Sequence, residues 1–337
     1  MGERLINYIQ ALNEPLRSEM ERDPTIIIMG EDVAGAAGRA EQGLVDAWGG
    51  PWAITKGLIK QFGPERVRDT PISEAGYIGA GVGAALTGLR PIVDIMFVDF
   101  TAVCFDPILN NASKIRYMFG GQAKVPMVIT TKIGAGTGNA AQHSSMFYSI
   151  FSHIPGLKCV APSDAYTAKG LMIAAIRDDD PVVFCDHRKL LSLKTHVPEE
   201  PYVWPIGKAR ILRQGRDVTF VCAAQMVNIC QEAAAELAKE GIEAEIVDLL
   251  SLSPLDEETI LESVAKTHRL VIVDEDSPRC SIATDIATLV STKGFDSLDR
   301  PVQLVTAPHT PVPYSRVLEM EYIPTAAKVI LAVKGSL

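Results

Sequence analysis

The sequence is short of several features that would place it in a familiar class. It has no C-x-x-C pair among its six cysteines, which favours buried thiols in a reducing compartment over a disulfide framework or a zinc site. Aromatic residues are 6% of the chain, no apolar run is long enough to span a bilayer, and no signal-peptide pattern is found. Basic residues number 32 against 41 acidic ones, so the net charge of −9 argues against nucleic acid as a partner. We therefore expect a cytoplasmic protein that binds neither nucleic acid nor a membrane.

Apolar runs of strand length alternate with segments of helical composition throughout the 337 residues. The predicted buried strands are 25–29, 91–97, 125–131, 157–161, 181–185, 217–223, 245–249, 270–274 and 302–306. The predicted helices include 164–177, 226–239, 256–266 and 281–291. This alternation predicts an α/β protein of two domains with mostly parallel sheets. A polar, Pro-containing stretch breaks the pattern, and we predict a first domain over 1–191, a linker over 192–205 and a second domain over 206–337.

A single carboxylate, Glu74, stands at the start of a glycine-rich segment that otherwise holds small and apolar residues. Glycines there let another backbone or a flat ligand approach closely. A poorly hydrated carboxylate at this place could hold or exchange a proton near neutral pH. The alternative is that Glu74 only caps a helix together with Asp69 and Ser73. The spacing Gly-x-Gly-x-Gly over 79–83 differs from the G-x-G-x-x-G fingerprint, so a dinucleotide loop is not indicated.

Other candidate residues follow predicted strands, where open α/β sheets place their ligands. His143 lies in a glycine-rich loop and could donate to a developing oxyanion or shuttle a proton; a structural histidine bonded to backbone is the alternative. Glu31 follows the first predicted strand, where an acid can also cap the next segment. Phe100 could present its ring to a flat heterocycle, and packing in a core is its alternative role. The acids at 178–180 indicate either a solvated turn or a cation site that uses backbone carbonyls.

A series of ordered motifs carries a resemblance to a known family. They are 30–33, 69–74 with the glycine-rich segment that follows, 89–92, 115–118, 141–144, 154–158 and 175–178. In this order, from near residue 5 to near residue 334, the sequence resembles the β subunit of the thiamine diphosphate-dependent E1 component of 2-oxo acid dehydrogenase complexes. Within that family, segments 46–50 and 307–314 look most like acetoin dehydrogenase β subunits. Ser145 departs from the family pattern, in which glutamine is usual at that place.

The resemblance implies a transketolase-like fold, with a pyrimidine-binding domain followed by a C-terminal transketolase domain. It assigns Glu74 as the carboxylate that hydrogen-bonds the aminopyrimidine of the cofactor, and Glu31 as an acid beneath that ring. Phe100 matches the ring that stacks on the pyrimidine, with Ile72 and Met96 lining the slot. His143 matches an active-site histidine near the substrate. Five positions match a structural monovalent cation site, such as a K⁺ site, that uses mainly backbone carbonyls: Met127, Ala175, Ile176, Asp178 and Asp180.

The Gly-Asp-Gly motif that holds Mg²⁺ and diphosphate in thiamine enzymes does not occur in these 337 residues. A diphosphate still needs a metal ion with oxygen ligands, so these are expected on a separate α subunit. The resemblance thus implies an α₂β₂ enzyme that cleaves acetoin and passes the two-carbon unit to the lipoyl group of an E2 acyltransferase. Pyruvate or a branched-chain 2-oxo acid is the alternative substrate. A nucleotide-binding oxidoreductase and a non-catalytic assembly subunit are the alternatives from other classes.

Overall fold

A computed structural model describes residues 4–35 and 48–336 of the chain. Two residues of the family-matching segment 46–50, Asp46 and Ala47, lie outside the described residues. Within the two described ranges, no helix is both long enough and apolar enough to cross a membrane.

The helices and strands alternate along most of the chain. The strands are β1 Leu5–Asn7, β2 Ile26–Gly30, β3 Val67–Asp69, β4 Arg90–Phe97, β5 Val128–Ile133, β6 Lys158–Val160, β7 Val182–His187, β8 Lys194–His196, β9 Arg210–Arg213, β10 Val218–Cys222, β11 Ala244–Asp248, β12 Ser251–Ser253, β13 Leu270–Asp274 and β14 Gln303–Thr306. The α-helices are α1 Tyr8–Arg22, α2 Leu58–Phe62, α3 Glu74–Leu86, α4 Ile115–Met118, α5 Tyr148–His153, α6 Ala165–Arg177, α7 Met226–Ala238, α8 Glu257–Thr267, α9 Ile282–Lys293, α10 Arg316–Tyr322 and α11 Ala326–Ser336.

Two sheets organise the fold. The first has the strand order β12-β6-β7-β5-β4-β2-β3, and all neighbours are parallel except β12 with β6. The second has the order β14-β13-β10-β11-β9, with β9 antiparallel to β11 and the other pairs parallel. The predicted α/β architecture with mostly parallel sheets is confirmed. One strand crosses between the two halves, because β12 belongs to the second half of the chain but forms an edge strand of the first sheet.

Helix α3 packs tightly on the first sheet because one of its glycines leaves room. A Cβ atom at Gly81 would lie 2.9 Å from Val93 Cγ2 and 2.9 Å from Met127 Cε. The absence of a side chain therefore brings the helix backbone against β4 and against the residue that precedes β5. This close packing fixes the start of α3, and with it Glu74, relative to the sheet.

The predicted linker 192–205 is ordered against the first half of the chain. Its residues Lys194–His196 form β8, which pairs with β1 in an antiparallel ladder. Further along, the Tyr202 ring stacks on Tyr166 of α6 with centroids 4.6 Å apart. The segment is therefore held by sheet pairing and ring packing, and the exact domain boundaries stay a prediction.

Candidate active site

Four neighbouring strands of the first sheet, in the order β5-β4-β2-β3, are parallel, so their carboxyl ends lie at the same end of the sheet. The chain that leaves β3 reaches Glu74, and the chain that leaves β2 reaches Glu31. The chain that leaves β4 reaches Phe100, and the loop after β5 carries His143. The structure therefore brings these four candidates to the carboxyl end of the sheet, which is where such sheets usually bind their ligands.

Glu74 is the first residue of α3 and is only 8% exposed. Ser73 makes no side-chain cap bond to the helix, and Asp69 accepts a hydrogen bond from the Ala34 N–H at 2.6 Å instead. Neither Ser73 nor Asp69 therefore caps α3. The part of the capping interpretation that remains is the favourable interaction of the Glu74 carboxylate with the helix dipole. Among residues 4–35 and 48–336, none donates a hydrogen bond to the Glu74 carboxylate. It is therefore a buried acceptor that is available to a ligand.

Negative charge accumulates around Glu31 and Glu74. Burial raises the pKa of Glu31, and the charges of Asp32 and Glu74 raise this pKa further. Tyr77, one turn along α3 from Glu74, has a phenol pKa held well above its ordinary value by burial and by the charges of Glu74 and Asp94. A ligand nitrogen that takes up a proton would be stabilised at this place, because opposite charges favour each other's ionised forms.

The two apolar residues predicted to line the cofactor slot differ in burial. Ile72 is 75% exposed, whereas Met96 is half-buried. Met96 has a φ of +57°, a left-handed conformation that is uncommon for a residue with a side chain, and its N–H donates to Asp94 Oδ1 at 2.8 Å. This turn interrupts the pairing of β4 with β5 and redirects the chain toward Phe100. The exposure of Ile72 leaves one side of the slot open in this chain.

An aromatic cluster packs against the histidine. The Phe97 ring packs edge to face on His143 with centroids 4.6 Å apart, and the Phe100 ring does so at 5.4 Å. The Trp52 ring also packs edge to face on Phe97, with centroids 5.4 Å apart. The Cys104 thiol donates to the Phe100 carbonyl at 3.6 Å. The Phe100 ring is therefore packed edge to face on both Phe97 and the His143 imidazole.

His143 lies in the loop 134–145 between β5 and α5, which we call the histidine loop. The base of the loop is closed by the Gly134 N–H, which donates to the Ser145 carbonyl at 3.0 Å. Ser145 in turn donates to Asp99 through its hydroxyl and through its N–H, the latter at 3.3 Å. The residue that departs from the family pattern thus anchors the loop on the 3₁₀ turn that also carries Phe100.

An open cleft of about 760 Å³ lies in front of His143. Residues from the first half form one wall, including Phe100, Gln142 and Met146. The opposite wall comes from the second half of the chain and is formed by Asp276, Ser277, His309, Thr310, Pro311, Val312 and Tyr322. Because Asp276 follows β13 and His309 follows β14, the carboxyl ends of both sheets face this cleft.

A buried ion cluster supports the site from behind. Lys132 Nζ lies 2.9 Å from Asp186 Oδ2 and 3.8 Å from Asp94 Oδ2. The Tyr8 hydroxyl donates to Asp186 at 2.9 Å, and the Trp52 ring centroid lies 6.0 Å from Lys132 Nζ. Burial lowers the pKa of Lys132, but the two carboxylates outweigh this effect and the pKa is raised overall. The cluster joins β4, β5 and β7 beneath the aromatic rings.

The positions predicted for a structural cation lie at the other end of the first sheet, beside the amino ends of its parallel strands. Met127 directly precedes β5, and its carbonyl accepts from the Val182 N–H at 2.9 Å. Arg90 Nε donates to the Ile176 carbonyl at 2.9 Å, and another nitrogen of the same guanidinium donates to the Asp178 carbonyl. The Ala175 carbonyl accepts from the Asp178 N–H at 3.3 Å. Arg90 therefore already donates to two of the carbonyls that would coordinate the predicted cation.

The neighbouring acidic side chains are also paired. Lys158 Nζ lies 2.7 Å from both carboxylate oxygens of Asp178 and 3.2 Å from Asp180. Arg116 also pairs with Asp180. These acids are ion-paired at the surface, and the predicted cation site remains a prediction.

Several residues of the site gave no local signal in the sequence. Trp52 and Phe97 belong to the aromatic cluster, and Lys132 belongs to the ion cluster. Trp48, in the segment that looks most like acetoin dehydrogenase β subunits, is 51% exposed. Lys132 directly follows the predicted strand 125–131, so the sequence did not indicate that it lies buried within β5.

Comparison with known families matches two domain models to the chain. The transketolase pyrimidine-binding domain matches residues 4–194, and the transketolase C-terminal domain matches residues 207–329. Among solved structures, a split-gene transketolase in an inactive β₄ tetramer is similar, with a TM-score of 0.76 and 25% identity over 98% of both chains. The two domains of the fold are therefore those of transketolases.

Relatives of established name are similar over nearly their whole length. The β subunit of acetoin:2,6-dichlorophenolindophenol oxidoreductase is 53% identical in Bacillus subtilis, covering 97% of this chain and 96% of the relative. The same subunit of Cupriavidus necator is 54% identical, covering 99% and 98%. The pyruvate dehydrogenase E1 component β subunit of Rickettsia felis is 43% identical, covering 98% and 97%. The chain therefore belongs to the transketolase-like family of dehydrogenase E1 β subunits.

Proposed function

We propose that the chain is the β subunit of an α₂β₂ thiamine diphosphate-dependent E1 enzyme that cleaves acetoin. The observation that carries the cofactor assignment is the buried Glu74 carboxylate at the start of α3, which has no hydrogen-bond donor among the described residues. When bound, thiamine diphosphate supplies an electron sink for cleavage of a bond next to a carbonyl. The six cysteines are all free, which suits a reducing cytoplasm.

The residues of this chain would hold the pyrimidine half of the cofactor and move protons near it. Glu74 would accept a hydrogen bond from the ring nitrogen, and the charge of Glu31 beside it would favour a proton at that place. The Phe100 ring and Met96 would pack on the ring faces, and Ile72 would complete the slot. His143 would face the substrate from the cleft and donate or accept a proton there.

A second chain must complete the site. The sequence has no Gly-Asp-Gly motif for Mg²⁺ and diphosphate, and Ile72 leaves one side of the slot exposed. An α subunit would supply the metal ligands and cover Ile72. The inactive β₄ assembly named for the similar transketolase structure is in keeping with a β chain that does not act alone. The acidic net charge of −9 suits docking of a basic E2 segment, through attraction that salt screens.

The proposed reaction oxidises a two-carbon unit with the lipoyl disulfide as the electron acceptor. Acetoin is cleaved between its carbonyl and carbinol carbons, which releases acetaldehyde and leaves an acetyl group on one sulfur of dihydrolipoyl. The choice of acetoin rests on relatives at 53% and 54% identity named for acetoin, against 43% for one named for pyruvate.

The test is reconstitution with the candidate α chain and a dye as the artificial electron acceptor. We expect the α/β pair to bind thiamine diphosphate with Mg²⁺ in calorimetry, whereas the isolated β chain shows no Mg²⁺-dependent binding. We also expect kcat/KM for acetoin to exceed that for pyruvate and 2-oxoisovalerate. Micromolar binding by the β chain alone would contradict the half-site. A tenfold preference for either oxo acid, equivalent to about 1.4 kcal/mol, would reject acetoin and leave the E1 assignment standing.

A further inference from the structure

The histidine loop is held on the second half of the chain by two buried carboxylates that no other part of the site explains. The Ala135 N–H donates to Glu275 Oε1 at 2.6 Å. The Gly136 N–H donates to Glu319 Oε1 at 2.7 Å, and the Gly138 N–H contacts both oxygens of Glu319 at 3.1 and 3.2 Å. Each glutamate is only 1% exposed. Both come from the second domain, outside the predicted pyrimidine-binding domain.

The glycines of the loop make this arrangement possible. Gly134, Gly136 and Gly138 have φ values of +89°, +93° and +73°, which side chains disfavour. A Cβ at Gly134 would lie 1.9 Å from His187 Nε2, and one at Gly136 would lie 2.6 Å from Lys189 Cδ. Successive N–H groups in left-handed turns form a concave anion-binding site. Here the chain fills that site with its own carboxylate, Glu319.

The cost of burying these charges indicates that the contact is specific. No lysine or arginine among the described residues lies within ion-pair distance of Glu319, and Glu275 Oε2 is hydrogen-bonded to His187 Nε2 at 3.0 Å. An opposing charge is that of Arg188, whose pKa is lowered by burial and supported by the charges of both glutamates. A buried carboxylate without a cation is expensive unless hydrogen bonds compensate it. Charge-assisted bonds from backbone N–H groups are the compensation that the structure offers. From the other side, Arg188 ties the two ends of the loop together by donating to the Gly134 carbonyl at 2.6 Å and to Ser144 Oγ at 3.1 Å.

We propose that Glu319, supported by Glu275, is a positioning residue that sets the place of His143 through the backbone of the histidine loop. Glu319 thereby acts on catalysis through the loop backbone. The inference rests on the proposed role of His143 for its effect on rate, but the contact itself does not. A misplacement of about 1 Å of a catalytic group can cost on the order of 10²-fold in rate. We therefore expect Glu319→Gln to lower kcat/KM for acetoin by about 10- to 100-fold.

The test uses the reconstituted α/β complex with Glu319→Gln, Glu319→Asp and a matched control, Glu321→Gln. Glu321 lies on the same helix α10 and is exposed, so its change should leave activity and loop exchange at the wild-type level. Hydrogen exchange of amides 135–145 should accelerate in Glu319→Gln, since the carboxylate that holds them is lost. Glu319→Asp keeps the charge and should recover part of the slow exchange. Calorimetric affinity for thiamine diphosphate should change less than twofold, because Glu74 and Phe100 lie outside the loop.

A double-mutant cycle separates positioning from general destabilisation. In a His143→Ala background, Glu319→Gln should cost less than twofold further in kcat/KM, because the residue that it positions is already gone. An equal loss in both backgrounds, or unchanged loop exchange in a folded complex, would overturn the inference. If His143→Ala retained full activity, the role proposed for that histidine would fail, while the exchange measurement would still decide whether Glu319 holds the loop. Should Glu319→Gln fail to assemble, exchange in Glu319→Asp and its comparison with Glu321→Gln give the same decision.

Discussion

Replacing Glu74 with glutamine removes a titratable proton site while keeping the size of the side chain. Because the wild-type carboxylate is 8% exposed and has no donor among the described residues, the amide can occupy the same space. Loss of a well-placed acid or base typically costs about 10²–10⁴-fold in rate. At about 1.4 kcal/mol per factor of ten, this corresponds to roughly 3–5 kcal/mol of transition-state stabilisation. We expect Glu74→Gln to lower kcat for acetoin in the α/β complex by that factor.

The same substitution decides between proton chemistry and helix capping. A carboxylate in the first turn of a helix contributes about 0.3–1 kcal/mol to stability through the helix dipole. Glu258→Gln is the matched control, since Glu258 lies in the first turn of α8 and its side chain is 75% exposed. If Glu74 only caps α3, both variants should lose up to about 1 kcal/mol of unfolding free energy in urea and keep their turnover.

The assay measures dye reduction with saturating thiamine diphosphate, Mg²⁺ and acetoin, after calorimetry has verified that the variant complex binds the cofactor. A Glu74→Gln complex that binds cofactor and turns over at more than half the wild-type rate would refute the reasoning. A complex that no longer binds cofactor would instead assign Glu74 to binding, and the rate comparison would then be made at higher cofactor concentrations.

The remaining predictions concern buried charges elsewhere in the fold. Lys132→Met should lower the unfolding free energy by about 3–5 kcal/mol, because Asp186 and Asp94 keep buried charges without their cation. Adding Asp186→Asn should restore part of the loss, and a cost below about 1 kcal/mol in urea unfolding would contradict a buried ion pair. Burial and neighbouring acids raise the pKa of Asp274 from 3.8 to about 7, so the folded protein holds this proton more tightly than the unfolded chain. Ionisation of Asp274 therefore lowers the unfolding free energy as the pH rises from about 4 through about 7. Asp274→Asn should be more stable than wild type at pH 8, with a gain that shrinks toward pH 4, because Tyr148 can still donate to the amide oxygen. A pH-independent gain would exclude titration of Asp274.

The sequence by itself determined the elements whose signal is local. Strand β13 has the predicted bounds of 270–274, and β2, β4 and β10 lie within a residue or two of theirs, because a buried parallel strand is a nearly continuous apolar run. Helix α6 begins after Asp164, whose side chain caps its first turn. An acidic residue directly before an apolar periodic segment is the usual signal for a helix start. Because the candidate residues follow strand ends, the location of the site at the carboxyl end of the sheet could also be predicted.

The tertiary structure alone decided the contacts between residues far apart in the chain. β12 is a short segment with no apolar run of its own, and only its pairing with β6 makes it a strand of the first sheet. Arg90 reaches the carbonyls that were predicted to hold a cation, because α6 ends beside β4. Glu319 lies more than a hundred residues from the histidine loop that it holds. Such contacts depend on how two sheets pack together, and no local pattern of residues encodes that packing.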